Sequence, residues 1–489
     1  MKQFFLFGCS LAMAAGQTLD TAILGTVSDP SGAVVAGAAV RVVNPATGVS
    51  HATTTAADGN YEVRYLIPGE YAVEVQAPGF RTSRQSGIRL AIGQQARVDF
   101  RLEVGDVVET IEVQARPLLL QTESAVLGEV VGRERIVNLP LNGRNFLQLS
   151  ALTPGVRVVE EANATRTRVI ANGARDIWMQ VNIDGITAVN NRHNFVNFYP
   201  SIDAIEEFKV QSSNYSAEYG GNAGANINVH LRSGTNEFHG SLFHFLRNDN
   251  LDARGYFRPE PFPKDVLQRN QFGTVVSGPI RRDRTFFMAG YEGMRMKKES
   301  AGTSVVLTPP QRQGDFSAAS APVRDPLNGE PFPRQTIPAS RLNPVSVRII
   351  NDYMPLPNTA GAVNYAGVTQ DVVNIDQGLA RIDHLFSSRD QVFLHYIYSA
   401  RDFPNTELNP AFYYNATFPN SSLAVQHVHT FTPAFLNEVR FGWHKGNIRK
   451  LSPRTGTDFR IESLGIQGLR VGGPDGRPLR PDEQGFPVL

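Results

Sequence analysis

The chain has 489 residues, 41% of them hydrophobic and 19% charged, and its 47 basic against 46 acidic residues leave a net charge of +1. That composition excludes a disordered or supercharged protein, and with no basic field to hold a phosphate backbone it also excludes nucleic acid as a partner. The 43 Gly, 31 Pro and 29 Phe suit many short strands joined by turns.

Residues 1–17 read as a secretory signal. Lys2 supplies a positive start, Phe4 to Leu11 an apolar run, and Ala12-Met13-Ala14 small residues for cleavage. The run is too short for a transmembrane helix, which needs about 20 apolar residues. Two alternatives stay open: Leu6-Phe7-Gly8-Cys9 resembles a lipobox, which would acylate Cys9, and the segment also suits a buried N-terminal strand. Cys9 is the single cysteine, so removal of the segment leaves no thiol for a disulfide, a nucleophile or a Cys-ligated zinc. No other segment is fit to span a bilayer as a helix. A membrane role therefore falls to strands in a closed barrel.

Residues 18–103 predict a β-sandwich. Strand-like runs at Ile23–Val27, Ala38–Val43, Tyr61–Leu66, Tyr71–Gln76 and Ala96–Leu102 alternate with turn formers such as Asp29-Pro30-Ser31-Gly32, Asp58-Gly59-Asn60 and Pro78-Gly79. With Gly25–Ala33, Thr55–Tyr61 and Leu66–Tyr71, the segment resembles a carboxypeptidase-regulatory-like domain, a kind that carries no peptidase site. Residues 104–116 form a connector, Val107-Val108-Glu109-Thr110-Ile111-Glu112-Val113, which is β-prone and free of proline. On composition it serves equally well as the last strand of the sandwich.

Residues 117–235 read as mixed α/β. Val131–Leu139 and Arg144–Leu152 predict short helices; Gln180–Ile186 and Glu206–Gln211 predict strands. The glycines of Gly220–Gly224 lack the lysine and following helix that a phosphate loop needs, and Asn226–Leu231 alternates like a strand. Five stretches then occur in order: Leu139–Phe146 with Asn142, Gly143 and Arg144; Ala171–Arg175 with Asn172, Gly173 and Arg175; Asn182–Ile186 with Asp184 and Gly185; Ile202–Val210; and Ala217–Ala225 with Glu218, Tyr219, Gly220 and Gly221, leading into Ser233–Ser241. This series resembles the plug of a TonB-dependent outer-membrane receptor, of the Oar-like subgroup that carries a sandwich ahead of its plug. In that setting Glu109–Val113, with Val107 and Val108, resembles a TonB box, which binds its partner by strand addition.

Residues 236–489 then predict barrel. Candidate strands are Phe238–Leu246, Phe272–Gly278, Thr285–Tyr291, Leu379–Phe386, Val392–Ser399, Ala424–Phe431 and Asn437–Trp443. Most approach the roughly 9–11 residues that cross an outer membrane. In the last, Val439, Phe441 and Trp443 share one face and Glu438, Arg440 and His444 the other, as a wall with an apolar exterior and polar lumen requires. Residues 296–376 are proline-rich and predict a long extracellular loop. Seven or eight strands are counted, against about 22 in plugged transporters. The expected fold is thus mainly β: an N-terminal β-sandwich, an α/β plug and an incomplete transmembrane antiparallel barrel, a receptor truncated within the barrel.

No enzymatic constellation stands out. HExxH and Gly-x-Ser-x-Gly are absent. Asp184 reads as a turn aspartate before Gly185, and Arg381-Ile382-Asp383 and Arg281-Arg282-Asp283-Arg284 read as solvated turn or lumen charges. His427 and His429 share a strand face; zinc would need a further ligand, and the sequence implies none nearby, so they read as lumen-facing polar residues. No cofactor is expected. The resemblance implies a receptor that binds an extracellular ligand (siderophore, glycan or peptide), sits in outer-membrane lipid and is driven by the TonB complex of the inner membrane. A surface adhesin using the sandwich to bind carbohydrate is the alternative.

Overall fold

The computed structural model describes residues 21–106, 110–114, 127–160, 167–190, 196–215, 219–220, 223–254, 256, 264–409, 411, 413–432, 435–451, 455 and 461–466. The signal segment with Cys9, together with Val107, Val108, Glu109, Glu218 and Gly221, lies outside them.

The sandwich contains β1 (Ala22–Ser28), β2 (Ala39–Val43), β3 (Ser50–Thr54), β4 (Asn60–Val63), β5 (Gly69–Gln76), β6 (Thr82–Leu90), β7 (Gln95–Arg97), β8 (Phe100–Arg101) and β9 (Thr110–Gln114). One sheet runs β4-β1-β7 with β8 also on β1; the other runs β3-β2-β5-β6-β9. Between them lie Ile23, Val40, Val42, Tyr61, Val73, Val75, Ile88 and Phe100, all buried. Alternation along β5 made that strand legible, whereas β3 and β6 are mostly Ser, Thr, Arg and Gln and carry little hydrophobic signal. The connector segment forms β9, which pairs in parallel with β6, Thr82 opposite Thr110 and Gln85 opposite Val113.

The plug comprises β10 (Leu127–Gly132), α1 (Arg133–Asn138), β11 (Val156–Glu160), β12 (Thr167–Ala171), β13 (Gln180–Ile183), β14 (Ile186–Thr187), β15 (Ile205–Ser213) and β16 (Asn226–Leu231). Its sheet is ordered β10-β15-β16-β13-β14, with β11-β12 a separate hairpin. The expected helix at Val131–Leu139 is one short helix preceded by a strand. The helix expected at Arg144–Leu152 is a run of 3-10 turns from Phe146, started by the Asn145 side chain, which accepts from the Leu147 amide. The glycine and proline that flank these segments leave too few residues for a stable α-helix.

Among the described residues nine strands form the wall: β17 (His239–Asn248), β18 (Val266–Arg281), β19 (Thr285–Ser304), β20 (Tyr365–Ser387), β21 (Asp390–Asn405), β22 (Tyr414–Thr417), β23 (Asn420–Thr432), β24 (Phe435–Gly446) and β25 (Arg449–Leu451). Neighbours are antiparallel from β17 through β21, which pairs with β22 along its upper part and β23 along its lower part; β25 and β24 follow on these. The break between β22 and β23 falls at Phe418-Pro419, where proline removes a ladder donor. Among the described residues the sheet is open, with edges at β17 and at β24 and β25.

The wall strands overrun their predicted lengths, β19 at 20 residues and β20 at 23. The long loop is therefore residues 305–364 rather than 296–376, and it holds two helices, α2 (Pro309–Arg312) and α3 (Pro344–Tyr353). Lys297 to Ser304 continue the ladder to Tyr365 although they are polar. Both of their faces are wet beyond the bilayer, so apolar alternation is not needed there. Short turns close one end of the wall, from Arg281 to Thr285 and from Ser387 to Asp390, and long connections close the other. The sandwich meets the short-turn end: Gln391 Nε2 donates to the Tyr65 carbonyl at 3.0 Å and the Asn236 amide to the Ala46 carbonyl at 3.0 Å.

Candidate functional site: the plug–wall interface

On β24, Val439, Phe441 and Trp443 point outward and are exposed, while Glu438 and Arg440 point inward and are mostly buried. Cross-strand register extends that outer face to Leu423, Val425, Leu394 and Tyr396, an apolar surface fit for lipid. The inner face is packed against the plug. Val275, Met288, Leu379 and Ile397 of the wall join the plug core around Phe208, Val229 and Ile183.

Polar contacts on this inner face centre on Asp184. The residue sits at a turn with φ of +46°, but its carboxylate is buried rather than solvated. Arg381 Nη1 on β20 donates to Oδ2 at 2.9 Å, and His395 Nδ1 on β21 lies 2.8 Å from the same oxygen. Oδ1 accepts from the Leu231 amide at 3.1 Å and lies 3.0 Å from His230 Nδ1. Burial by itself would raise the Asp184 pKa; the Arg381 charge and the two histidines outweigh it and hold the carboxyl well below its ordinary value. Arg381 also grips Asp383 with two nitrogens, and Ser233 Oγ donates to Asp383 at 2.8 Å. The Phe393 ring lies 4.6 Å beneath the guanidinium. Arg381 and Asp383 are thus fully buried partners of the plug, not solvated charges, because the lumen at their level is filled by protein.

Gly185, next to Asp184, has φ of +80°, and a Cβ there would meet Arg440 Nη1 at 1.8 Å. The positive φ favours glycine at this turn, and any side chain there would have to push the Arg440 guanidinium aside. Asn142 Oδ1 accepts from Arg269 Nη1 at 3.0 Å, and the Gly143 carbonyl accepts from Gln271 Nε2 at 3.2 Å. Arg144 pairs with Asp203 and stacks on Phe243 at 4.1 Å. Those motif residues also reach the wall. Of the other motif residues, Asn172 Nδ2 donates to the Ser212 carbonyl, Gly173 turns the chain at φ of +75°, Arg175 lies over Trp178 and Tyr219 against Tyr215. A further group meets the wall around Asn197, whose Nδ2 is 2.7 Å from His444 Nε2 and whose carbonyl accepts from Asn420 and Arg401.

His230, Arg381, Asp383 and His395 are the residues that the sequence did not single out as a site. A signal existed: Arg381 and Asp383 share a strand face with the apolar Leu379, so charge on that face needed a partner. A cavity of about 70 Å³ opens beside the cluster, lined by Asp184, His230, Arg381, Asp383, Gln391, Gln426 and Arg440 together with Tyr65 and Leu66 of the sandwich.

The family model for an outer membrane beta barrel domain matches residues 230–487, more than half of the chain. Those for a carboxypeptidase regulatory-like domain and a TonB-dependent receptor plug domain match residues 22–103 and 121–226. The chain belongs to the TonB-dependent outer-membrane receptors. This receptor is 29% identical over 301 residues to the TonB-dependent transporter Oar of Myxococcus xanthus, an alignment covering 58% of this chain and 27% of that protein. The chain therefore spans about a quarter of the length of the curated relative it matches. Among solved structures, the receptor is similar to the outer membrane transporter YddB from Escherichia coli, with 14% identity, 65% of this chain and 38% of that chain covered, and a TM-score of 0.42. It is also similar to the siderophore receptor PirA from Acinetobacter baumannii, with 15% identity, 66% and 44% covered, and a TM-score of 0.34. Its location is the outer membrane, and the adhesin alternative is not favoured.

Proposed function

We propose that the receptor binds an extracellular ligand and passes it across the outer membrane when the TonB complex pulls on the segment Val107–Val113 and rearranges the plug. The observation that carries this reading is the polar seam between plug and wall. A plug meant to stay would be sealed by apolar packing alone; this one adds to the apolar contacts of Val275, Met288, Leu379 and Ile397 a polar set, Asp184, Arg381, His395, Asn197 and Asn142, that water can satisfy once the plug shifts. The cavity beside Asp184 is roomy and polar enough to admit that water. The residues of the seam position and release a domain and perform no bond-making step.

The pairing of β9 with β6 is what the alternative, a last strand of the sandwich, predicts; the TonB-box reading rests on the sequence and on the strand's place at the sheet edge. Thr110–Gln114 already lies extended along a sheet edge, which is the geometry in which a partner strand would take it. Engagement by TonB then exchanges one strand neighbour for another. Deleting Val107–Val113 should abolish uptake and spare surface binding; uptake at the wild-type rate in that deletion would rule the assignment out. Ile111→Pro, which removes one backbone donor, should have the same effect if pairing is through the backbone. Siderophore, glycan and peptide remain the ligand classes, and the external loops select among them.

A further inference from the structure

We propose that Asp390, His427 and His429 form a binding site for a divalent transition-metal ion of the zinc class, on the outer face of the wall at its short-turn end. The sequence reading put the two histidines in the lumen. The structure puts them on the opposite face, because Asn420, Ser422, Ala424 and Val428 are the buried, plug-side residues of β23. The third ligand that the sequence could not supply comes across the ladder: Asp390 pairs directly with His429, and Val392 with His427.

One donor atom from each of the three residues lies within 4.8 Å of the others. His427 Nε2 is 3.4 Å from Asp390 Oδ1, and His429 Nδ1 is 2.5 Å from the same oxygen. Ligands about 2.0–2.1 Å from a tetrahedral zinc stand roughly 3.3 Å apart. The first pair already has that spacing, and the second reaches it by opening less than about 1 Å. Asp390 Oδ2 accepts from Ser387 Oγ at 2.8 Å, which turns Oδ1 toward the imidazoles in the way that outer hydrogen bonds orient a ligating carboxylate. The Phe431 ring packs edge-on against His429 at 4.2 Å and stacks on Phe435 at 4.9 Å, fixing the imidazole plane.

Two imidazoles and one carboxylate suit zinc, nickel or copper rather than magnesium or calcium. Three protein ligands leave the remaining position to water. Phe386, Phe431 and Phe435 are exposed on the same face, at the short-turn end of the wall. The ion would also join β21 to β23 beside the turn from Ser387 to Asp390.

The test uses the full chain, purified from outer membranes in detergent with a tag free of histidine, stripped with a chelator and titrated with zinc against a chromogenic chelator. One tight equivalent per chain is expected, unaffected by millimolar magnesium. It should weaken by more than about 100-fold in His427→Gln combined with His429→Gln, and by about tenfold in Ser387→Ala, which keeps all three ligands. Heat-modifiable migration on a gel checks that each variant is folded. Zinc affinity unchanged in a folded double variant, or no tight equivalent in the wild-type chain, would overturn the proposal.

Discussion

Against the wall, the plug buries Asp184 between Arg381 and two histidines and adds contacts at Asn142, Asn197 and Arg144. Against the sandwich, among the described residues, Glu207 accepts from the Ile92 amide, and Lys209 Nζ donates to the Gly93 carbonyl at 3.2 Å. In the first interface, charge is balanced by charge, so loss of one partner strands another in a dry site. In the second, side chains meet backbone, and one of them titrates near neutrality. Burial pushes the Glu207 carboxyl up from 4.5 to about 7, against the Ile92 amide, which draws it down. The plug–wall contact thus rests on balanced buried charge, and the plug–sandwich contact on a group that responds to pH near neutrality.

The largest effect is expected from Arg381→Ala. It leaves Asp184 and Asp383 buried without their cation, a loss of about 3–5 kcal/mol, and should lower the thermal midpoint of the detergent-solubilised protein more than any change at the sandwich contact. A midpoint equal to wild type would mean that the seam is already hydrated. Glu207→Gln comes next. A carboxyl whose folded pKa is raised favours the protonated, folded form, so the docking contribution is complete below about pH 4.5 and is lost as pH rises toward about 7. The substitution should remove that slope, worth a few kcal/mol at most, as read by hydrogen exchange at the Ile92 amide from pH 5 to 8. A slope that persists in the variant would assign the pH response to another group. The smallest effect belongs to Lys209→Met, which keeps the stem and forfeits one hydrogen bond to Gly93, about 1 kcal/mol; faster exchange around Gly93 with an unchanged plug would sharpen the contrast.

How much of this was legible varies with the solvent on each side of a strand. Val439, Phe441 and Trp443 announced their face because lipid lies on one side and protein on the other. Thr82 to Leu90 of β6 and Met296 to Ser304 of β19 did not, since strands with wet or mixed faces carry no apolar period. The motif around Asp184 marked the plug plainly, but its carboxylate looked like an ordinary turn aspartate because its partners lie 197 and 211 positions away. The sequence shows His427 and His429 as a pair but does not show which face they occupy. Inward and outward are set by the phase of the whole strand, and polar residues at the edge of the lipid surface blur that phase.

The length of β20 has a consequence for capture. Its 23 residues extend about 75 Å at roughly 3.3 Å each, or about 55 Å of height at a tilt near 40°. The apolar band of an outer membrane is about 25 Å tall, and the short turns lie at the opposite end. The upper wall therefore stands about 30 Å clear of the lipid, with the folded loop 305–364 at its rim. Under the proposed function, a diffusing ligand would meet that rim well before the bilayer, and the reach of the surface would be set by ladder length rather than by membrane thickness.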